Sequence, residues 1–508
     1  MQTDVLIVGA GPTGLSLACQ LIRLGVDFVI IDKKETTTPY SKAIGVQART
    51  LEIYEQIGLA DDLIALGAKA EKARMIVGGQ VRGEVEFSSF GAGLSPYPFV
   101  LVAEQGKHET LLHNYIRANG REVRWQTELE GFTQDDGGVA AAVKTSDGRT
   151  ETVNAKYLAA CDGAKSGVRH ALGLEFKGST FERMFYVADV QIEWDLGHDA
   201  LNAFLMKDTL LAFFPMVGEK QWRIVGTFPE EFAKDEGEVL YEEIEERIKQ
   251  DTELQLDITK VNWFSTYKVH TRHVNKFSVG RCFLAGDSAH IHSPAGAQGM
   301  NTGIQDGYNL AWKLALVVQG KASLEILNTY NEERLPNAEL LTRTTDRFFD
   351  LAAGPGQLTS FARLYLFPYL ANLAFRLNAV NKFVFPRVSQ IGINYRKSSL
   401  SVDGGQFAIR AGDRMPYFLI DGRSIYDWLR APKFHLVTFY DGAAPQPVIT
   451  DDLDGRADIH TMPLYPHVAE IFGTSESFSL LLRPDNYIGY IGALNTNETK
   501  EYLRKILS

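Results

Sequence analysis

The type of fold is indicated near the start of the chain by the run Val5-Leu6-Ile7-Val8-Gly9-Ala10-Gly11-Pro12-Thr13-Gly14. A short apolar run ends in the pattern Gly-x-Gly-x-x-Gly, and apolar residues then recur at helical spacing as far as Gly25. A second apolar run, residues 28–31, ends at Asp32. The order strand, tight turn, helix, strand predicts a βαβ unit of the Rossmann type, which is typical of dinucleotide-binding domains.

Each glycine of the turn has its own physical role in such a unit. Gly9 permits the tight turn, Gly11 lets a pyrophosphate approach the backbone, and Gly14 lets the helix pack closely on the strand. Asp32 can accept hydrogen bonds from an adenosine ribose. The pattern predicts a dinucleotide but does not distinguish FAD from NAD. The residues predicted to contact it here are Gly9, Gly11, Pro12, Thr13, Gly14, Asp32 and Lys33.

Two distant segments share another shape, an apolar strand that runs into a turn of glycine and aspartate. Residues 157–169 contain Cys161-Asp162-Gly163, and residues 280–290 contain Gly286-Asp287. The second segment continues into a glycine-rich run, residues 294–303. Glycines suit a close backbone approach to a flat ligand, and a helix expected to begin near Asn301 would point its free N–H groups at the same place.

Taken together, the three motifs resemble the signatures of the class A FAD-dependent aromatic hydroxylases, over roughly residues 3–400. The resemblance implies FAD as cofactor, NADPH or NADH as reductant, and O2 as co-substrate. It implies a flavoprotein monooxygenase that hydroxylates a small aromatic molecule through a C4a-hydroperoxyflavin. In that chemistry the cofactor does the oxygen activation, so no side chain is named as nucleophile or general base.

The resemblance also assigns site residues. Asp287, after Gly286, would bind the ribityl chain, while Asp162 and Gly163 would serve both FAD and the nicotinamide. The remaining cofactor contacts that it implies are Lys42, Arg49, Gln105, Pro294, Gly299, Met300 and Asn301. Of these, Pro294 would pack by the isoalloxazine ring, and the backbone of residues 299–301 would bond its pyrimidine edge.

Four positions depart from the family pattern. Asp32 stands where many relatives have Glu, Lys42 where many have Arg, and Ala297 where the loop usually has glycine. Lysine keeps a charge at position 42 but loses the planar fork of arginine. Ile44 stands where phenol hydroxylases carry an acid that helps to deprotonate the phenol. This last departure favours larger polycyclic or polyketide-like aromatic substrates over simple phenols.

The expected fold class is α/β, with a Rossmann-type FAD-binding domain, an inserted antiparallel β-sheet substrate domain and a C-terminal thioredoxin-like α/β domain. The predicted segments are 1–180 and 276–400 for the FAD-binding part, 181–275 for the substrate sheet and 401–508 for the C-terminal domain. Residues 411–416 and 482–485 resemble the thioredoxin-like appendage of phenol and polyketide hydroxylases, but no CxxC pair is present. The candidate substrate contacts are Ile44, Phe204, Phe213, Phe214, Pro215 and Trp222.

Composition excludes several other classes. The chain has 508 residues and a net charge of −11, without the basic excess of a nucleic-acid-binding protein. We expect no membrane span, since the apolar stretch 361–386 is broken by charges and a proline; this stretch is a candidate packing or homodimer helix instead. Three scattered cysteines and no signal-peptide pattern predict a cytoplasmic protein.

A metal site is not predicted, because Asp287, His290 and His292 are loosely spaced. His290 is interpreted as a hydrogen-bonded structural residue. Three alternatives to the hydroxylase stay open from the sequence: an FAD-binding protein that sequesters an aromatic compound, a flavin-dependent oxidase or halogenase, and, less favoured, an NAD-dependent dehydrogenase.

Overall fold

The structure is a computed structural model, and it describes residues 1–39, 43–207, 209–228, 239–292, 297–353, 362–366, 378–442, 457–494 and 496–507. The α-helices are α1 Pro12–Arg23, α2 Ala48–Glu55, α3 Ala60–Ala65, α4 Phe87–Phe90, α5 Gln105–Ala118, α6 Gly167–Ala171, α7 Tyr241–Thr252, α8 Gly299–Val318, α9 Asn328–Ala353, α10 Asn378–Val388, α11 Ile425–Trp428, α12 Pro466–Phe472 and α13 Thr496–Ile506. Shorter helical turns are Gly286–Ser288, Leu324–Leu327 and Ala362–Leu366.

The strands, in chain order, are β1 Gln2–Val8, β2 Phe28–Ile31, β3 Gly45–Val46, β4 Ala68–Ala70, β5 Lys72–Val77, β6 Gln80–Glu86, β7 Val100–Val102, β8 Val123–Arg124, β9 Glu128–Gln134, β10 Val139–Lys144, β11 Thr150–Ala160, β12 Lys177–Glu193, β13 Ala200–Leu205, β14 Leu210–Pro215, β15 Gln221–Thr227, β16 Asp257–His273, β17 Ser278–Val279, β18 Cys282–Leu284, β19 His290–Ile291, β20 Val402–Gly404, β21 Leu419–Ile420, β22 Arg423–Ser424, β23 Phe434–Tyr440, β24 Ala457–Pro463, β25 Phe478–Leu482 and β26 Ile488–Ala493.

The first sheet has a parallel centre in the order β18-β11-β1-β2-β8. The carboxyl-terminal parts of its middle strands are apolar and buried. Helix α1 packs on β1 and β2, and α5 and α8 pack against α1. The expected βαβ unit is therefore confirmed. The antiparallel strands β17, β10 and β9 extend this sheet outside the parallel core.

The second sheet has the order β19-β16-β12-β15-β14-β13-β5-β6 and is antiparallel except where β13 runs parallel to β5. Strands β14 and β15 confirm the antiparallel pair expected from the alternating pattern. Strands β5 and β6 come from residues 72–86, within the segment that the sequence assigned to the FAD-binding part, so two segments of chain build this sheet. Helix α7 covers one of its faces through Ile244 and Ile248.

The C-terminal sheet has the order β20-β26-β25-β23-β24, with its own apolar core. The predicted strand at residues 434–439 is confirmed as β23. This unit contacts the first sheet's helices through buried ion pairs, since Arg483 binds Glu333 of α9 through two hydrogen bonds of 2.6 and 3.0 Å. Trp312 of α8 donates to Asp485 at 3.0 Å, so the unit is bonded to the two longest helices described.

Helix α9 runs through Pro336, although a proline usually interrupts a helix. Proline leaves one carbonyl without its usual donor. Beside the proline, the side chain of Asn337 donates to the carbonyl of Glu333 at 2.6 Å. Among the helices that the structure describes, none has both the length and the apolar character needed to cross a bilayer.

Candidate functional site

The three glycine-containing motifs meet at one edge of the first sheet. Parallel strands β1, β11 and β18 end at Val8, Ala160 and Leu284, and their carboxyl ends lie side by side. Backbone bonds continue this alignment into the turns, since Cys161 N donates to Val8 O at 2.7 Å and Ala285 N donates to Ala160 O at 3.0 Å. Ligands of open α/β sheets bind outside this edge.

The glycines of the first turn are required by close packing and by backbone conformation. Gly9 has φ of +106°, and a Cβ there would clash with the carbonyl of Cys161. A Cβ at Gly14 would clash with the carbonyl of Gly9. Gly11 is different, because a Cβ there would meet no described atom within 4 Å. The backbone at Gly11, which caps the N-terminus of α1, thus faces open space on the side where a phosphate can approach.

Thr13 brings the first and third motifs into contact. A Cβ on Gly286 would lie 2.5 Å from the Thr13 hydroxyl oxygen, and a Cβ on Gly303 would overlap the same atom. A Cβ on Gly307 would lie 3.2 Å from the side chain of Leu17. Helices α1 and α8 can therefore pack closely only because these positions of the third motif and of α8 are glycine.

The second motif is bonded to the third through Arg169. Its guanidinium donates to the carbonyls of Ser288 at 3.0 Å and Ala164 at 2.8 Å. Asp162 accepts from the backbone N–H of Val168 at 3.3 Å with one oxygen. Its other oxygen, Oδ1, is buried and has no hydrogen-bond partner among the described residues. A buried carboxylate oxygen without a donor is an acceptor that a ligand can satisfy.

Asp32 fixes the first turn at the end of β2. Its two oxygens accept from the backbone N–H groups of Ala10 at 2.7 Å and Lys34 at 2.8 Å. Lys33, the predicted contact, is exposed, whereas Lys34 lies 3.8 Å from Asp32 and 3.7 Å from Glu109. Lys34 is a basic residue of the site that the sequence analysis missed, although its position two residues after Asp32 marks it.

Gln105 stands at the start of α5, as predicted. Its Nε2 donates to Glu109 at 2.9 Å, and its Oε1 accepts from the backbone N–H of Ala43 at 3.3 Å. Glu109 in turn accepts from the backbone N–H of Thr38 at 2.8 Å. Gln105 and Glu109 therefore hold both flanks of residues 40–42, which fall outside the described residues together with the predicted contact Lys42.

A buried network supports the third motif from below. Asp306 of α8 accepts from the N–H of Gly286 at 2.9 Å, from His290 at 2.7 Å and from Arg334 at 2.6 Å. Burial alone would raise the pKa of Asp306, but the charges of Arg334 and His290 outweigh it, so its pKa lies below the usual value. The bond to Asp306 confirms the structural interpretation of His290.

The sequence analysis missed Asp306, although a signal was present. Polar residues at 306, 309 and 313 recur at helical spacing on the otherwise apolar helix α8. Such residues are buried only when they are paired.

Asn301 joins the start of α8 to strand β3. Its side-chain oxygen accepts from the N–H of Gln47 at 2.9 Å and the hydroxyl of Thr50 at 2.7 Å. Its side-chain nitrogen donates to the carbonyls of Gly45 at 2.8 Å and Ala297 at 2.7 Å. Ala297 has φ of +52°, a left-handed conformation that favours the glycine expected there. Helix α8 begins at Gly299, two residues before the predicted start.

Comparison with known proteins agrees with this geometry. A family profile described as "FAD binding domain" matches residues 2–345. A flavin-dependent monooxygenase of Mycobacteroides abscessus is 33% identical over 99% of this chain and 100% of that protein. Pentachlorophenol 4-monooxygenase of Sphingobium chlorophenolicum is 29% identical over 95% of this chain and 93% of that protein. The solved structure of OxyS anhydrotetracycline hydroxylase from Streptomyces rimosus superposes with a TM-score of 0.78 at 28% identity, covering 100% of this chain and 99% of that one.

The chain belongs to the class A FAD-dependent aromatic hydroxylases. The family resemblance drawn from the three motifs and the α/β fold class are thereby confirmed. The monooxygenase activity expected from the resemblance is the activity of this family. The sequestration, oxidase, halogenase and dehydrogenase alternatives are not favoured by any of these relatives.

The residues of this hydroxylase fit FAD. The open space at Gly11, the unsatisfied Asp162 Oδ1 and the exposed carboxylate of Asp287 lie along the strand-end edge that the three motifs share. Gly163, with φ of +81°, turns the chain beside Asp162. The first N–H groups of α8 at Gly299, Met300 and Asn301 have no side-chain cap from Gln298. Pro294 lies outside the described residues.

Arg49 lies buried between α2 and the C-terminal unit. It is 1% exposed, pairs with Glu52 at 3.1 Å and donates to the carbonyl of Asp485 in the C-terminal unit at 3.0 Å. Its guanidinium also lies over the rings of Tyr308 and Tyr487. Nη1 and Nη2 are directed to these partners, whereas Nε is buried without a partner among the described residues. Arg49 therefore joins α2 to the C-terminal unit, and its contact with the cofactor stays a prediction.

The predicted substrate residues divide between two faces of the second sheet. Phe204, Phe213 and Trp222 belong to the buried core beneath α7. Pro215 pairs with Trp222 across the strands and so shares that face. α7 and its apolar neighbours cover Phe204 and Phe213, whereas Trp222 lies at the border of this core and also lines a surface cavity.

Phe214 points to the opposite face, since successive strand residues alternate. There it packs against a cluster that contains Ile44, Ala70, Val102 and Met216. The structure therefore brings together Ile44 and Phe214 of the predicted substrate residues. Ile44 directly precedes Gly45, which Asn301 holds against the start of α8.

A surface cavity of about 910 Å³ opens elsewhere, at the far end of the second sheet. Trp194, Trp222 and Leu254 line it, together with charged residues such as Glu193, Lys220 and Lys249. It lies on the α7 side and contains none of the motif residues. We therefore place the candidate substrate site at the Ile44 and Phe214 face instead.

Proposed function

We propose that this hydroxylase adds one oxygen atom to a bulky, polycyclic phenol-like ring at the face formed by Ile44 and Phe214. The supporting observation is the apolar cluster around Ile44, which adjoins the start of α8 through Gly45. An acid at position 44 would assist deprotonation of a small phenol, and isoleucine instead offers hydrocarbon surface. A relative that hydroxylates anhydrotetracycline supports a polycyclic substrate, while a pentachlorophenol relative keeps smaller phenols in the test.

A buried ion pair lies on the same face of the sheet as Phe214. Arg223 pairs with Phe214 across β14 and β15, so the two side chains share a face. The guanidinium is 1% exposed and forms two hydrogen bonds with Asp189, at 2.5 and 2.6 Å. The ring of Trp263 lies 5.5 Å from the guanidinium. The pair is buried and joins β15 to β12, so it supports the substrate face from within the sheet.

FAD, when bound, supplies the activated oxygen that side chains cannot provide. The overall change consumes one O2 and one NAD(P)H with a proton, and it gives the hydroxylated ring, water and NAD(P)+. The chain's own residues hold and enclose the reactants. The α8 N-terminus places partial positive charge at residues 299–301, which favours developing negative charge there. The Ile44 cluster excludes water from the same region.

We also propose that the reductant is NADPH or NADH. Only one glycine-rich fingerprint is present in the sequence, so the nicotinamide would bind in a surface groove near Asp162 and Gly163. Three expectations from the sequence are kept as proposals: a cytoplasmic location, a homodimer, and the division of the chain into the four predicted segments. The stretch 361–386, on which the dimer rests, lies partly outside the described residues.

The test follows NADPH and NADH oxidation with an oxygen electrode, across small phenols and polycyclic phenols, with product analysis. We expect a polycyclic phenol to accelerate NAD(P)H oxidation and to yield product with one added oxygen. Acceleration by small phenols alone would overturn the assignment of the Ile44 face. A flavin-containing protein that binds aromatics without accelerated oxidation would point to sequestration.

A variant pair tests the cofactor assignment. Asp287→Ala should lose most FAD occupancy, while Asp136→Ala, another exposed carboxylate, should retain it. Because Asp287 is exposed, its removal should change the stability of the flavin-free chain by less than about 0.5 kcal/mol. Equal FAD content in the two variants would remove Asp287 from the site.

A further inference from the structure

Three potential metal ligands meet in the C-terminal unit, away from the flavin motifs. His435 lies on β23, and Asp458 and His460 lie on the adjacent parallel strand β24. One ligand atom from each residue falls within 4.8 Å of the others. His435 is buried, whereas Asp458 and His460 are partly exposed, so the cluster is open to solvent on one side. The sequence predicted no metal site because these residues belong to separate segments without a ligand motif.

A backbone carbonyl fixes the tautomer of His435. Its Nε2 lies 3.0 Å from the carbonyl oxygen of Ala431, which can only accept a hydrogen bond. Nε2 therefore carries the hydrogen, and the lone pair of Nδ1 points at His460. Metal-binding histidines characteristically donate their second ring N–H to a carbonyl in this way. His435 is thus already oriented as a ligand through Nδ1.

The two imidazole nitrogens suit a metal ion after a small adjustment. His435 Nδ1 and His460 Nε2 are 3.0 Å apart. Two zinc–nitrogen bonds of about 2.1 Å at a tetrahedral angle place the nitrogens roughly 3.4 Å apart, so an opening of about 0.4 Å is sufficient. In the metal-free chain Nε2 of His460 donates to Nδ1 of His435. When a metal binds to Nε2 of His460, the hydrogen of that ring moves to its own Nδ1. No proton needs to leave the protein for this change.

Asp458 completes the set. Its Oδ1 pairs with Lys433 at 2.7 Å, which leaves the second oxygen of the carboxylate for a metal. Two imidazole nitrogens and one carboxylate suit zinc, cobalt, nickel or copper better than magnesium or calcium, which prefer oxygen ligands. With three protein ligands, water fills the remaining position.

We propose that His435, Asp458 and His460 bind one divalent first-row transition-metal ion. β24 is the edge strand of the C-terminal sheet, and the ion would cross-link it to the neighbouring strand β23. Edge strands are the part of a sheet most open to pairing with another chain, and a metal bound only by the folded state stabilises that state. The site would thus secure the sheet edge without taking part in the flavin chemistry.

The test uses the full-length flavoprotein, purified without a histidine tag and treated with a chelator. Zn2+ is titrated calorimetrically, and Co2+ is followed by its absorbance on the red side of the flavin bands. His460→Gln and Asp458→Asn remove ligands at partly exposed positions, and His467→Gln removes an exposed histidine of the same unit as a control. Thermal unfolding without metal checks that all variants fold alike.

We expect one Zn2+ per chain, a new cobalt band, and a rise in the unfolding temperature on metal addition. We expect at least tenfold weaker binding in His460→Gln and Asp458→Asn, and unchanged binding in His467→Gln. Absence of binding by the unaltered protein would overturn the proposal. Equal binding by His460→Gln and the unaltered protein would overturn it as well.

Discussion

Replacing Asn301 by alanine removes the clamp between α8 and strand β3. The side chain is fully buried and makes four hydrogen bonds, to Gly45, Gln47, Thr50 and Ala297. Alanine leaves one N–H, one hydroxyl and two carbonyls without these bonds. At about 1 kcal/mol net per hydrogen bond, the variant should lose about 4 kcal/mol of folding free energy.

Thr50→Val provides a matched comparison, because it removes one of the four bonds and nearly conserves side-chain shape. It should lose about 1 kcal/mol. In the Asn301→Ala background the hydroxyl of Thr50 already lacks this bond, so adding Thr50→Val should have almost no further effect. The expected coupling between the two positions is therefore about 1 kcal/mol.

The assay is urea unfolding of all four proteins, followed by tryptophan fluorescence and by flavin release. Asn301→Ala should also release flavin at a lower urea concentration, since its bonds hold Gly45 beside the predicted flavin edge. If Asn301→Ala loses no more folding free energy than Thr50→Val, the four hydrogen bonds of Asn301 do not stabilise the fold as described. Full additivity of the two substitutions would contradict the expected coupling.

Three further perturbations test other parts of the molecule. Burial lowers the pKa of His108 to about 4, and an unfolded histidine has a pKa of about 6.5. Between these values only the unfolded chain binds the proton, so stability should fall by about 3 kcal/mol as pH drops through this window. His108→Gln should show a shallower fall in urea unfolding at pH 7, 5.5 and 4; an unchanged slope would contradict this. Arg483→Met should lose about 3–5 kcal/mol, because it leaves the buried carboxylate of Glu333 without its bidentate partner. Limited proteolysis should then cleave faster near residue 400, and an unaltered rate would argue against the interface. Phe213→Ala should lose about 3–5 kcal/mol of stability with substrate affinity retained, while its neighbour Phe214→Ala should chiefly raise the KM for the aromatic substrate. The same KM change in both variants would show that the two faces were assigned incorrectly.

Local patterns were sufficient to predict the parallel unit of the fold. The run from Val5 to Asp32 contains its strand, turn, helix and strand in direct succession, so periodicity and glycine placement describe it. Which strands form the second sheet could not be predicted from local patterns. Strand β13 of this sheet pairs with β5, which lies more than a hundred residues earlier. Neither strand has a sequence pattern that identifies the other as its partner. Strand pairing over such a separation depends on tertiary packing.

The site shows the same division. The positions of Gly9 and Gly14 follow from the turn itself, and steric contacts in the structure explain both. The bond from Arg49 to the carbonyl of Asp485 could not be predicted, because the two residues lie 436 positions apart in the sequence. Phe213 and Phe214 could be assigned to opposite faces by strand alternation. Which face meets helix α7 became known only from the folded sheet.

The parallel pairing of β1 with β11 has a consequence for the folding of this protein during its synthesis on the ribosome. Val8 pairs with Ala160, and β11 pairs on its other side with β18, which ends at Leu284. At roughly 5–20 residues per second, Val8 waits on the order of 8–30 s for its partner to be synthesised. During that time the edge of β1 that faces β11 lacks its partner strand, while β2 can already pair with the other edge. We therefore expect its production in cells to depend on chaperones that cover such strands until translation has passed the third motif.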